Sequence, residues 1–180
     1  MLQGYVPYII IGVVAALLIA ATVVAARLAW RKQVRRYIVG LVGRAEDIRA
    51  GLKALDSVVG GLISGGVEGL LAFAGSDSDE RHAVAEIASR MRIASNELAE
   101  QPLPKRLWPL ADRLGEAAGT LAETASRVGE AEGEAVLDAL AELDLRPVRD
   151  ALAASEEQVA VLAEEYELTD SAVYGGGLYI

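Results

Sequence analysis

Val6 to Ala26 reads VPYIIIGVVAALLIAATVVAA, an apolar run with no charged residue and only Thr22 as a polar interruption. At about 1.5 Å per helical residue such a run is roughly 31 Å long, the thickness of a bilayer's hydrocarbon core. Nothing later in the chain has this composition. The sequence therefore predicts an all-α protein with a single N-terminal transmembrane helix, residues 1–30. An antiparallel helical bundle or coiled-coil-like domain is expected over 31–168, with a glycine-rich hinge at 60–75, and a flexible C-terminal tail over 169–180.

Aromatic rings flank the run: Tyr5 and Tyr8 before it, Trp30 after it. From Tyr8 to Trp30 a helix covers about 33 Å, which sets these rings near the two interfaces. Arg27, Arg31, Lys32, Arg35 and Arg36 follow directly, whereas residues 1–8 carry no charged side chain. The positive-inside rule then puts the N-terminus outside and the rest of the chain in the cytosol, at the plasma membrane. The five basic residues are the expected contacts to anionic lipid headgroups, each worth about 1 kcal/mol near such a leaflet. The competing reading is a cleaved signal peptide with Val24-Ala25-Ala26 as the cleavage site. It is disfavoured by the absence of Lys and Arg before the run, by the length of the run, and by basic residues beyond the supposed cut. Gly12, Ala16 and Ala20 share one face at a spacing that lets two membrane helices approach closely, which leaves room for a homo-oligomer. An ordinary Ala-rich helix is the simpler account of those three residues.

The net charge of −9 hides an asymmetry. Residues 27–53 hold eight basic side chains against Glu46 and Asp47, a balance of +6. From residue 54 on there are nine basic and 24 acidic side chains, a balance of −15. So acidic a surface repels nucleic acid, and no nucleic-acid partner is expected. The chain has no Cys, which removes disulfides, thiol nucleophiles and thiolate metal sites.

Apolar spacing predicts the helices. Val34, Ile38, Leu41, Ala45, Ile48, Leu52, Leu55 and Val59 alternate four and three residues apart, an a/d stripe that predicts unbroken helix to about Val59. The same stripe suits an intermolecular coiled coil or the chain's own bundle; the later stripes, which need a partner, favour the bundle. Gly60–Gly75 admits close helix packing, a hinge, or a shallow membrane-associated element. It is no phosphate loop, because Gly66-Val67 stands where Lys-Ser/Thr is required. Ser78 is the expected N-cap of a helix with Val84, Ile87, Met91, Ala94 and Leu98 on one face, ending near Gln101 ahead of Pro102 and Pro104. An antiparallel partner follows, with Pro109 in its first turn and Leu107, Leu110, Leu114, Ala117, Leu121, Thr124 and Val128 as its stripe. Trp108 is expected to anchor the corner in the core. Glu134–Leu143 reads as a short helix, and Leu145, Val148, Leu152, Ser155, Val159, Leu162 and Tyr166 as the stripe of the last.

The chemistry-bearing residues are few. His82 is the single His, so a Ser-His-Asp site has little to draw on. Asp79 and His82 have ligand spacing, but a di-iron bundle needs a second such pair and zinc needs more ligands. Carboxylate pairs such as Glu97/Glu100 and Asp138/Glu142 read as solvated helix faces. No catalytic residue, cofactor or metal is expected. What remains is a membrane-anchored, non-enzymatic scaffold or interaction protein. Its protein partner is expected at the bundle surface or at the tail, where Tyr174, Leu178, Tyr179 and Ile180 suit a short linear ligand. The alternatives are a membrane-tethered ligand sensor that moves at the glycine-rich segment, and an exported helical protein after signal cleavage.

Overall fold

A computed structural model describes residues 6–75 and 78–168, with side chains from Leu17 onward. The helices are α1, Val6–Ser64; α2, Gly66–Ala74; α3, Asp79–Glu100; α4, Trp108–Glu130, entered through a 3-10 turn at Lys105–Leu107; α5, Ala135–Ala141; and α6, Arg146–Glu165. There is no strand among the described residues. The chain divides into two units, Met1–Tyr37 and Ile38–Ile180.

In the first unit, every described side chain from Leu17 to Gln33 is exposed. Leu17, Leu18, Ile19, Val23, Val24 and Leu28 are among them. Thr22 satisfies its hydroxyl within the helix, donating to the Ile19 carbonyl at 2.8 Å. Among the described residues no helix is long and apolar enough to cross a membrane. The expected transmembrane run, Val6–Ala26, is helical within α1, but a membrane span there has no support among the described residues.

The second unit is a helical bundle built on the predicted stripes. From Ile38 through Leu41, Ala45, Ile48, Leu52, Leu55, Val59 and Leu62 the α1 stripe is buried. Removing each such Leu or Ile from water is worth about 1.5–3 kcal/mol, which holds a helix this long in register with its partners. Ser78 caps α3, its hydroxyl accepting the Arg81 amide at 3.2 Å. The helix stops at Gln101, in extended backbone ahead of the prolines. Pro109 and Pro147 fall in the first turns of α4 and α6, where a missing N–H costs nothing.

Ion pairs report the direction of the helices. Arg49 of α1 pairs with Glu156 of α6, and Asp56 pairs with Arg149. Seven residues up α1 matches seven residues down α6, so the two are antiparallel. Arg44 of α1 pairs with Glu97 late in α3, and Arg106, just before α4, with Glu165 at the end of α6. The order is up-down-up-down. These pairs are exposed and contribute little stability each, but they mark the register. Ten residues below Glu156, Tyr166 comes level with Val39; α2 and α5 sit at the opposite end, in the α1–α3 and α4–α6 connections.

Two packing features depart from expectation. α4 buries a second face, Ala111, Ala118, Ala122 and Ala125, beside its leucine stripe. Gly115 and Gly119 lie on the α3 side, where the Ser95 hydroxyl donates to the Gly115 carbonyl at 3.0 Å. Small residues let α3 and α4 approach closely. Trp108 is half exposed and does not anchor the core. Leu107 is fully buried in its place, and the indole nitrogen is satisfied by the Leu103 carbonyl at 2.9 Å.

Candidate functional site

The far end of the bundle begins with a backbone turn. Ser64 donates its hydroxyl to the Gly60 carbonyl at 2.7 Å and α1 ends. Gly66 takes a φ of +58°, a left-handed conformation that costs other residues about 1–2 kcal/mol. The start of α2 then folds close on the end of α1. A Cβ on Gly65 would stand 3.1 Å from the Gly69 Cα, and one on Gly69 would stand 3.3 Å from the Leu62 carbonyl oxygen. Only glycine fits such backbone-to-backbone contact.

Phe73 pins α2 to the bundle, with no exposed surface. Val136 and Ala139 do the same for α5. Arg81, half-buried at the start of α3, joins the two sides. Its Nε donates to the Phe73 carbonyl at 3.2 Å, its Nη2 donates to the Ala131 carbonyl at 2.6 Å, and its guanidinium carbon lies 5.3 Å from the Phe73 ring centre. With their inner faces used in this way, α2 and α5 present apolar side chains outward. Ile63, Val67 and Leu71 are 68, 73 and 68 % exposed, and Leu137 is 54 % exposed. Between α2 and α5 lies a bowl of about 400 Å³ whose lining is mostly Val67, Leu70, Leu71, Val136 and Leu137.

The rim has one sign. Residues 54–80 contain five acidic side chains and no Lys or Arg; residues 128–145 contain six and none. Glu68, Glu130, Glu132, Glu134 and Asp138 are exposed at this end of the bundle, and Glu134 lines the bowl. Of the cations that flank these segments, Arg81 is engaged as above, Arg146 with Asp144 and Arg149 with Asp56, while Arg127 in the last turn of α4 is exposed. The Asp144 carboxyl is held down to about 2, first by the Arg146 side chain and then by the Arg146 amide, both of which donate to it.

A larger groove, about 590 Å³, runs between α1 and α3 over Gly51 and Met91. Its charges are mutually satisfied, Arg44 with Asp47 and Glu97, and Arg90 with Glu86. It offers a ligand no residual charge, and its floor is the helix seam itself. Among the described residues no three His, Asp or Glu side chains are grouped to hold a metal ion. His82 is exposed in the first turn of α3.

The basic residues expected at lipid headgroups are on the first unit's helix: Arg27, Arg31, Lys32 and Arg36 are exposed and Arg35 is half-buried. Tyr174, Leu178, Tyr179 and Ile180 lie outside the described residues. The bowl was not anticipated as a site. The signal for its floor in the sequence is the near absence of charge from Val58 to Ser76, broken by Glu68 alone. Scans against protein-family models, curated proteins and solved structures found no match for the chain.

Proposed function

We propose that this protein is a membrane-anchored, non-enzymatic interaction protein that presents an acidic helical bundle at the cytosolic face of the plasma membrane. The anchor is the single pass over Val6–Ala26, with the N-terminus outside and Arg27, Arg31, Lys32, Arg35 and Arg36 against anionic headgroups. Support for the anchor comes from the uncharged run, from the aromatic and basic residues beside it, and from the exposure of Leu17, Leu18, Ile19, Val23, Val24 and Leu28. An apolar helix whose described side chains from Leu17 to Ala26 are exposed is suited to an apolar solvent.

The observation that carries the interaction role is the outward apolar surface at the far end of the bundle, Ile63, Val67, Leu71 and Leu137. Exposed apolar side chains clustered around a concavity mark a place where another molecule is received. The mechanism is localisation: holding a partner at the membrane raises its effective concentration there. The tail over 169–180, with Tyr174, Leu178, Tyr179 and Ile180, is a second route of capture.

Alkaline carbonate extraction of cells expressing the full chain tests the anchor. The protein stays in the membrane pellet if the run spans the bilayer. Release into the supernatant, or a mature chain beginning after Ala26, rejects it.

A further inference from the structure

We infer that the bowl between α2 and α5 is the docking site for a cationic amphipathic helix of a protein partner. The inference deepens the interaction reading above and is independent of the anchor.

The floor asks for apolar side chains. Val67 and Leu71 are one helical turn apart on the outer face of α2, and Leu137 faces them from α5 across about 400 Å³ of open space. A helix that carries apolar residues every three or four positions presents matching anchors, as in other helix-in-groove complexes. The rim asks for positive charge. At this end Glu68, Glu130, Glu132, Glu134 and Asp138 are exposed, and no Lys or Arg lines the bowl. Lys and Arg flanking the apolar face of an incoming helix would meet Glu68, Glu134 and Asp138. Such complementarity steers association and sets the register of the bound helix.

Charge also removes the other occupants. A second copy would bring its own acidic rim against this one. An anionic membrane surface would be repelled by it, and no Lys or Arg lines the bowl to hold headgroups. The chain's own tail starts at the opposite end, where Tyr166 is level with Val39. Ile63 lies 24 residues up α1 from Val39, about 36 Å at the helical rise. Fully extended, the chain from Leu168 to Ile180 reaches about 40 Å, so distance alone does not exclude the end of the tail and charge decides. Residues 169–180 contain Asp170 and no basic side chain, so they lack the charge the rim selects.

The test uses the full chain in the neutral detergent dodecyl maltoside and a fluorescent synthetic amphipathic helix made only of Leu and Lys. Fluorescence anisotropy reads its affinity, and the same helix made of Leu and Glu serves as comparator. The Leu/Lys helix is expected to bind and the Leu/Glu helix to fail. Replacing Val67, Leu71 and Leu137 together by Ser is expected to weaken binding about tenfold or more, since these anchors carry the apolar contact. Glu68→Gln, Glu134→Gln and Asp138→Asn together are expected to do the same and to flatten the salt dependence. Both sets alter exposed side chains, so circular dichroism should show the helices intact. Ser at the exposed Ile93 and Val161, away from the bowl, is expected to change nothing. Equal affinity for the Ser triple variant and the unaltered chain overturns the inference, because binding is then general adhesion to an acidic surface. So does an unaltered chain that sediments as a dimer which the Ser triple variant dissociates, because the occupant is then a second copy. Carbonate extraction can fail while this assay succeeds, so loss of the anchor and loss of the docking site are told apart.

Discussion

Arg81 and Ala131, fifty residues apart in sequence, are joined by a 2.6 Å hydrogen bond from the guanidinium to the carbonyl. The same side chain holds the Phe73 carbonyl. One residue at the start of α3 therefore ties the end of α2 to the connection that leads into α5, and sets the two walls of the bowl. A half-buried charged donor to two carbonyls is worth about 2 kcal/mol, and its loss leaves those acceptors without a partner. In Arg81→Ala, amides of Gly66–Ala74 and Ala135–Ala141 should exchange with solvent faster by hydrogen-exchange mass spectrometry, while the middle of α6 keeps its protection. Unchanged exchange in α2 and α5 would show that Arg81 does not hold them.

Gly51 occupies the seam of α1, α3 and α4. A Cβ there would stand 3.1 Å from the Met91 sulfur, 3.2 Å from its methyl and 3.5 Å from a Leu121 methyl. Met91 is flexible at its end and can yield by a few tenths of an ångström. Removing glycine from a helix interior gains about 0.8–1.0 kcal/mol, so Gly51→Ala should be close to neutral in thermal unfolding. Gly51→Leu has no such room and should cost about 1–3 kcal/mol through overpacking. A Leu variant as stable as the parent would mean the seam is looser than described.

Leu107 and Trp108 separate hydrophobicity from position. Leu107 is fully buried and Trp108 is half exposed. Leu107→Ala should therefore destabilise the bundle by about 2–5 kcal/mol, and Trp108→Ala by less than about 1 kcal/mol. The reverse order in chemical denaturation would restore Trp108 as the anchor.

The same pair shows what could be read in advance. Stripes of Leu, Ile and Val at alternating spacings of three and four were legible because large apolar side chains contrast with charged neighbours. Leu107 lay on such a stripe, and a residue one step along a helix points about 100° away. That geometry turns Trp108 outward despite the size of its ring. The alanine face of α4 was illegible for a different reason: alanine is common on every face of these helices, so Ala111, Ala118, Ala122 and Ala125 carry no contrast. The acidic rim of the bowl could be counted in the sequence. Its floor could not, because the outward side of helices as short as α2 and α5 is set by which residue, Phe73 or Val136, the bundle takes in.

Asp144 gives the account a pH handle. Its carboxyl is lowered from 3.8 to about 2 by the Arg146 side chain and amide. The pairing favours the folded state in full above the unfolded carboxyl value near 4 and is lost as the pH falls through about 2. Titration by NMR should place the Asp144 midpoint well below that of the other exposed carboxylates. The first turn of α6 should loosen over that interval, and Asp144→Asn should abolish the pH dependence of that turn. A midpoint near 4 would show that the pairing with Arg146 is absent in solution.

The proposed anchor holds the bundle on the cytosolic side, out of reach of reagents added outside the cell. Because the chain has no Cys, Glu132→Cys in the exposed α4–α5 connection supplies a single thiol. Spheroplasts expressing this full-length variant are treated with a membrane-impermeant maleimide before and after lysis. Labelling only after lysis is the result the account predicts. Labelling of intact spheroplasts would contradict it and place the bundle, with its acidic rim and apolar bowl, on the outer side of the membrane.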